Sequence, residues 1–142
     1  MARVRRILMD WLTSATAPER FELCGLWELP AHSREARARG IKLLEENLSP
    51  AQRYQYKVFK NFDVAGGEIG KRYRIRYGSQ MNVEQLGERG ETVWVLCFMP
   101  EGKLVVGDIM LAQKLALELF ESDTLEAANR FSSHPCLFGP MP

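Results

Sequence analysis

His134, Pro135 and Cys136 stand in a row near the C-terminal end, the one place in this 142-residue sequence where a histidine and a cysteine lie close together. A cysteine nucleophile needs a base within reach, a third group to orient that base, and a pocket for substrate. The surrounding stretch SSHPCLFGPMP, from Ser132, supplies neither orienting group nor pocket, and reads as an irregular tail or a cover over a strand edge. His32 is the other histidine, and Cys24 and Cys97 complete an odd count of cysteines. Structural zinc sites present close ligand pairs such as CxxC or HxxxH, and these residues form none, so neither metal nor cofactor is expected. Gly66-Gly67-Glu68-Ile69-Gly70 is glycine-rich, but it lacks the Lys-Ser/Thr of a phosphate loop and precedes a strand-like run. It reads as a β-turn. The carboxylates Glu45, Glu46, Asp123 and Glu126 fall at helix ends or on wet faces. No catalytic constellation emerges, and a non-enzyme is expected.

Binding chemistry is better represented. Arg72, Arg74 and Arg76 alternate with Tyr73, Ile75 and Tyr77, the two-residue period of a half-buried strand. The guanidinium groups would recur at about 6.6–7 Å along one face, near twice the axial step of a nucleic-acid strand. Lys71 and the basic segment 34–42 could assist. Two features oppose that use. The proposed register sets Glu84 across from Arg74, with Glu91 on the same face, and opposite charges across a ladder ordinarily serve the sheet. Formal net charge is +1, so no long-range field gathers a polyanion. The first expectation is therefore a non-catalytic interaction or structural module. Its contact would be a protein partner or a second copy, through Val93, Val95, Cys97 or the apolar side of residues 4–12. The alternative is a nucleic-acid-binding module using the basic strand 71–76.

The elements that must position these residues centre on Gly70 to Glu121. Arg72–Tyr77, Met81–Leu86 and Glu91–Met99 read as three strands, joined by Gly78-Ser79-Gln80 and by a four-residue hairpin loop, Gly87-Glu88-Arg89-Gly90. That register pairs Tyr77 with Met81, Ile75 with Val83, Val83 with Trp94 and Met81 with Leu96. One face then carries Tyr73, Ile75, Tyr77, Met81, Val83, Trp94, Leu96 and Phe98. The other carries Arg72, Arg74, Arg76, Asn82 and Glu84, shading into Val93, Val95 and Cys97. Asp108 can cap a largely apolar helix over 109–121, whose wet stripe is Lys114, Glu118 and Glu121. This helix, with Leu115, would cover the aromatic face. Asp123-Thr124-Leu125-Glu126 resembles a capping box opening a helix over 124–130.

Upstream, Ser33 can cap a helix from Arg34 to about Leu48, in which Gly40 is a weak point and Arg37 intrudes among Ile41, Leu44 and Leu48. Ser49-Pro50-Ala51-Gln52 has an N-cap serine, a proline at the first helical position and a glutamine three residues on, and starts a helix to about Lys60. Phe62-Asp63-Val64 is a candidate fourth strand beside the Tyr73 strand. Residues 2–14 suit a basic amphipathic helix, Thr16-Ala17-Pro18-Glu19 resembles another capping box, and 21–30 is apolar and ambiguous. The fold class expected is α+β: N-terminal helices, a three- or four-stranded antiparallel meander, and a C-terminal helix packed on the sheet. One domain spans 1–142, with a variable segment 1–32, a core 33–130 and a tail 131–142.

Composition is that of a globular protein, with 46% apolar and 26% charged residues, which excludes a disordered chain. No apolar run approaches the roughly 20 residues needed to span a bilayer, and the start MARVRRILMDWL is too short in apolar residues for a signal peptide. No membrane association is expected. The unpaired cysteine count points to a reducing cytoplasm. The segments RYRI, NV, LC.MP and GDIMLAQKLALE, followed by Ala128-Asn129, resemble a family of small, mostly uncharacterised bacterial and phage-associated proteins over about residues 40–130. A proline often precedes the GD pair in that family, where this chain has Val105-Val106. The resemblance implies a compact domain and no particular activity.

Overall fold

The computed structural model describes residues 31–98 and 103–133, the first three by their backbone alone. Segment 2–14, the Thr16–Glu19 box, residues 21–30, Cys24, His134 and Cys136 lie outside the described residues. The side chain of His32 does too.

Helix α1 (Ala31–Glu46) and helix α2 (Pro50–Phe59) follow one another through a short connection without packing together as a hairpin. α1 begins two residues before Ser33, which is thus inside the helix and not its cap. At α2 the expected capping box is formed in full: the Gln52 amide donates to Ser49 Oγ, and the Gln52 side chain accepts from the Ser49 N–H. Strands β1 (Asn61–Ala65), β2 (Arg72–Arg76), β3 (Val83–Leu86) and β4 (Thr92–Cys97) follow as a meander. Helices α3 (Val106–Leu119) and α4 (Glu121–Ala127) then return the chain to a fifth strand, β5 (Asn129–Ser132), beside β4. The class is α+β, with every neighbouring strand pair antiparallel.

Five strands replace the expected three or four. The fifth takes 129–130 from the helix expected over 124–130 and 131–132 from the expected tail, because α4 starts at Glu121 and ends at Ala127. Asp123 therefore lies inside α4 and is not its cap, and the Thr124 hydroxyl donates back to the Ala116 and Phe120 carbonyls, binding the end of α3 to α4. β5 also crosses the boundary drawn between core and tail at 130.

The Ile75–Val83 and Arg74–Glu84 pairings are as expected. The Val83–Trp94 and Met81–Leu96 pairings are not. Val83 faces Leu96 and Gln85 faces Trp94, because the hairpin loop has five residues and β4 carries a bulge near Val93. These two extra residues shift the ladder by an even number, so each side chain keeps its face while changing partner. Tyr77 and Met81 leave the core face altogether. Both are half exposed, and Met81 has φ of 49°, which takes it out of the strand. Asn82 precedes β3 and is freed from strand alternation. It turns inward, where its amide and that of Gln113 bond reciprocally at 2.8 and 2.9 Å.

The core joins Phe62, Val64, Tyr73, Ile75, Val83, Leu96 and Phe98 of the sheet side to Leu44, Leu48, Tyr56, Met110, Ala116, Leu117 and Leu125 of the helices. α3 begins at Val106, with Val105 as a cap that makes no side-chain bond, so Asp108 lies in the first turn. The expected wet stripe does not form: Lys114 is 8% exposed, Glu118 is partly buried, and Glu121 has no exposure and belongs to α4. α3 lies against β1 and β2, which leaves Trp94, on the same sheet face, 37% exposed. Leu115 is only partly buried, and Leu117 fills the core place expected of it. α1 and α3 cross at Gly40 and Gly107, where a Cβ on Gly107 would lie 2.2 Å from the Gly40 carbonyl carbon. Gly40 therefore trades helix propensity for close approach.

β1 is an edge strand with its backbone closed off by α2. Gln52 Nε2 donates to the Asp63 carbonyl at 2.9 Å, and the Asp63 N–H donates to Gln55 Oε1 at 3.0 Å.

Candidate functional site

Three places gather charged groups, and they differ in whether the counter-charge comes from the chain itself. The first is the outer sheet face. Asp63, Arg74, Glu84, Val95 and Phe131 form one row across all five strands, since residues directly opposite in a ladder share a face. Arg74 grips Asp63 bidentately at 2.9 and 3.3 Å, and Arg72 reaches the same carboxylate at 3.4 Å. Arg76 takes Glu84 at 2.7 and 3.1 Å. The hydrogen bond to Asp63 raises the Arg74 pKa, so the group stays a cation throughout. Each of the three arginines thus has a carboxylate, and Glu91 is used elsewhere, accepting from the Arg89 N–H. The row changes character at β4. Val93, Val95 and Cys97 are partly buried, and Phe131 is 46% exposed. Among the described elements no helix packs on this half.

The second place is the glycine-rich connection between β1 and β2. It is a turn, closed by the Gly66 N–H donating to Lys71 O at 2.8 Å, and it is also an anion cradle. Its anion is Glu121, the first residue of α4. Glu121 Oε2 accepts from the N–H groups of Glu68, Ile69 and Gly70 at 3.1, 2.5 and 3.0 Å. Oε1 accepts from the Lys71 N–H at 3.1 Å and the Tyr73 hydroxyl at 2.7 Å. In return Glu68 accepts from the Ser122 N–H at 2.7 Å. A Cβ at Gly66 would lie 2.0 Å from the Glu121 carboxyl carbon, so the loop closes only around glycine there. Burial works against the charged carboxylate, yet the bonds from Tyr73, Ile69, Gly70 and Glu68 prevail and hold its pKa below the ordinary value. Burial and the bond to Glu121 push the Tyr73 phenol upward.

The third place draws on the basic segment 34–42, expected only to assist strand 71–76, and its groove with Tyr77 was not foreseen. Arg34, Arg37, Ala38, Ile41, Lys42 and Glu45 on one face of α1, with Tyr77 from the β2–β3 connection, line a groove of about 440 Å³. Tyr77 was expected on the core face. The one sequence signal for the groove is Arg37 at helical spacing from Arg34 and Ile41, on an otherwise apolar side. Among the described residues no carboxylate pairs with Arg34 or Arg37. Lys42 is 3.9 Å from Glu46, a loose exposed pair.

Among the described residues no group of three or more His, Cys, Asp or Glu could hold a metal ion, and no helix is long and apolar enough to cross a membrane. The chain matches no family model, no curated protein and no solved structure.

Proposed function

We propose that this chain is a non-catalytic binding module whose protein contact is the β4–β5 half of the outer sheet face. The observation behind this reading is the Val95–Phe131 end of the cross-strand row, flanked by Val93 and Cys97, with Phe131 half in solvent. Apolar side chains grouped on an open sheet face mark contact surfaces more often than they decorate monomers. Nucleic-acid binding along strand 71–76 has less support, because Arg72, Arg74 and Arg76 already hold Asp63 and Glu84.

A second copy is the partner to test first. Light scattering across a concentration series is expected to show mass rising toward that of a pair, and Val95→Lys, whose ammonium would face Glu84 across the ladder, is expected to return it to a single chain that circular dichroism shows still folded. A single-chain mass at every concentration and salt would remove the self-association form of the proposal.

A further inference from the structure

We infer that the groove between α1 and Tyr77 is a binding site for a small aromatic anion of the mononucleotide class, a reading independent of the sheet-face contact. Three features define the ligand. Arg34 and Arg37 are exposed, one helical turn apart, and without a carboxylate among the described residues. Guanidinium forks of that kind suit phosphate oxygens bidentately. Tyr77 offers a half-exposed ring beside Ile41 and Ala38, the sort of surface on which a base stacks. Glu45 stands eight residues along the helix from Arg37, about 12 Å away, and can accept from the hydroxyl or amino groups of a nucleoside.

The volume of about 440 Å³ suits one nucleotide, and the near-zero net charge disfavours a long polyanion.

The test is calorimetric titration of the full chain with adenosine and uridine monophosphate, with inorganic phosphate and a thymidylate oligonucleotide alongside. Saturable binding of the mononucleotides is expected, with phosphate alone at least about tenfold weaker. Arg37→Ala and Tyr77→Ala are each expected to weaken binding about tenfold, and Tyr77→Phe to keep most of it. These positions are exposed, so melting temperatures should not move; if Arg37→Ala shifts the melt, Arg37→Gln replaces it. The inference is overturned by no saturation into the millimolar range, by affinity indifferent to Arg37, or by phosphate binding as well as nucleotide. It is equally overturned by the oligonucleotide binding more than tenfold tighter, which would make the ligand a strand.

Discussion

The β1–β2 connection and the α1 groove both gather donors that suit an anion, and they differ in what the chain itself supplies to them. Four backbone N–H groups and a phenol converge on Glu121 from the same chain, whereas Arg34 and Arg37 have no carboxylate partner among the described residues. The arginines of β2 belong with the cradle, since Asp63 and Glu84 answer them. A charged cluster whose counter-ion arrives in cis is accounted for by folding. One with no carboxylate partner among the described residues is the place to look for a ligand.

That contrast can be broken at its stronger end first. Glu121→Ala would strand four amide donors and a buried hydroxyl, and should cost about 3 kcal/mol or more in urea unfolding. A loss below about 1 kcal/mol would mean the loop has little need of its anion. The same carboxylate predicts an acid dependence. Its folded pKa lies below the unfolded value of about 4.3, so its stabilisation is present above that value and drains away as pH falls through the folded one. Glu121→Gln should therefore give a flatter stability profile below about pH 4 than the parent chain. Tyr73 acts in the opposite sense, its raised pKa stabilising below about pH 10 and failing above.

A smaller effect tests whether a filled site can be emptied. Asp63→Asn should cost about 1 kcal/mol, the measure of a partly exposed pair. It also releases Arg72 and Arg74, so salt-sensitive retention on a polyanion column should rise. If retention is unchanged, the carboxylate does not mask those arginines. The smallest effect belongs to the groove: Arg34→Ala combined with Arg37→Ala should change stability by less than about 0.5 kcal/mol. A larger loss would place those side chains in the fold and not in a binding role.

Legibility in the sequence followed the range of the interaction. The Ser49–Gln52 box, the β2 alternation and the Arg74–Glu84 register all rest on residues a few positions apart, and all are present. β5 was invisible, because Asn129–Ser132 has one apolar residue and no alternation, and is exposed throughout. The start of α3 was misplaced because Asp108 suits a cap as readily as a first turn. Glu121 was taken for a wet-stripe residue, since its ligating amides lie about fifty positions away. The groove was missed for a similar reason: its ring and its cations come from distant segments, and Tyr77 continues the β2 pattern one residue past the strand's end.

The glutamines on β1 set a limit on assembly that holds whatever binds elsewhere. Gln52 and Gln55 already occupy the carbonyl and amide of Asp63 on the open side of that strand, so an incoming strand would have to displace them. Strand addition at β1 would therefore break two intramolecular hydrogen bonds before it formed any, which protects that edge from pairing with a strand of another copy.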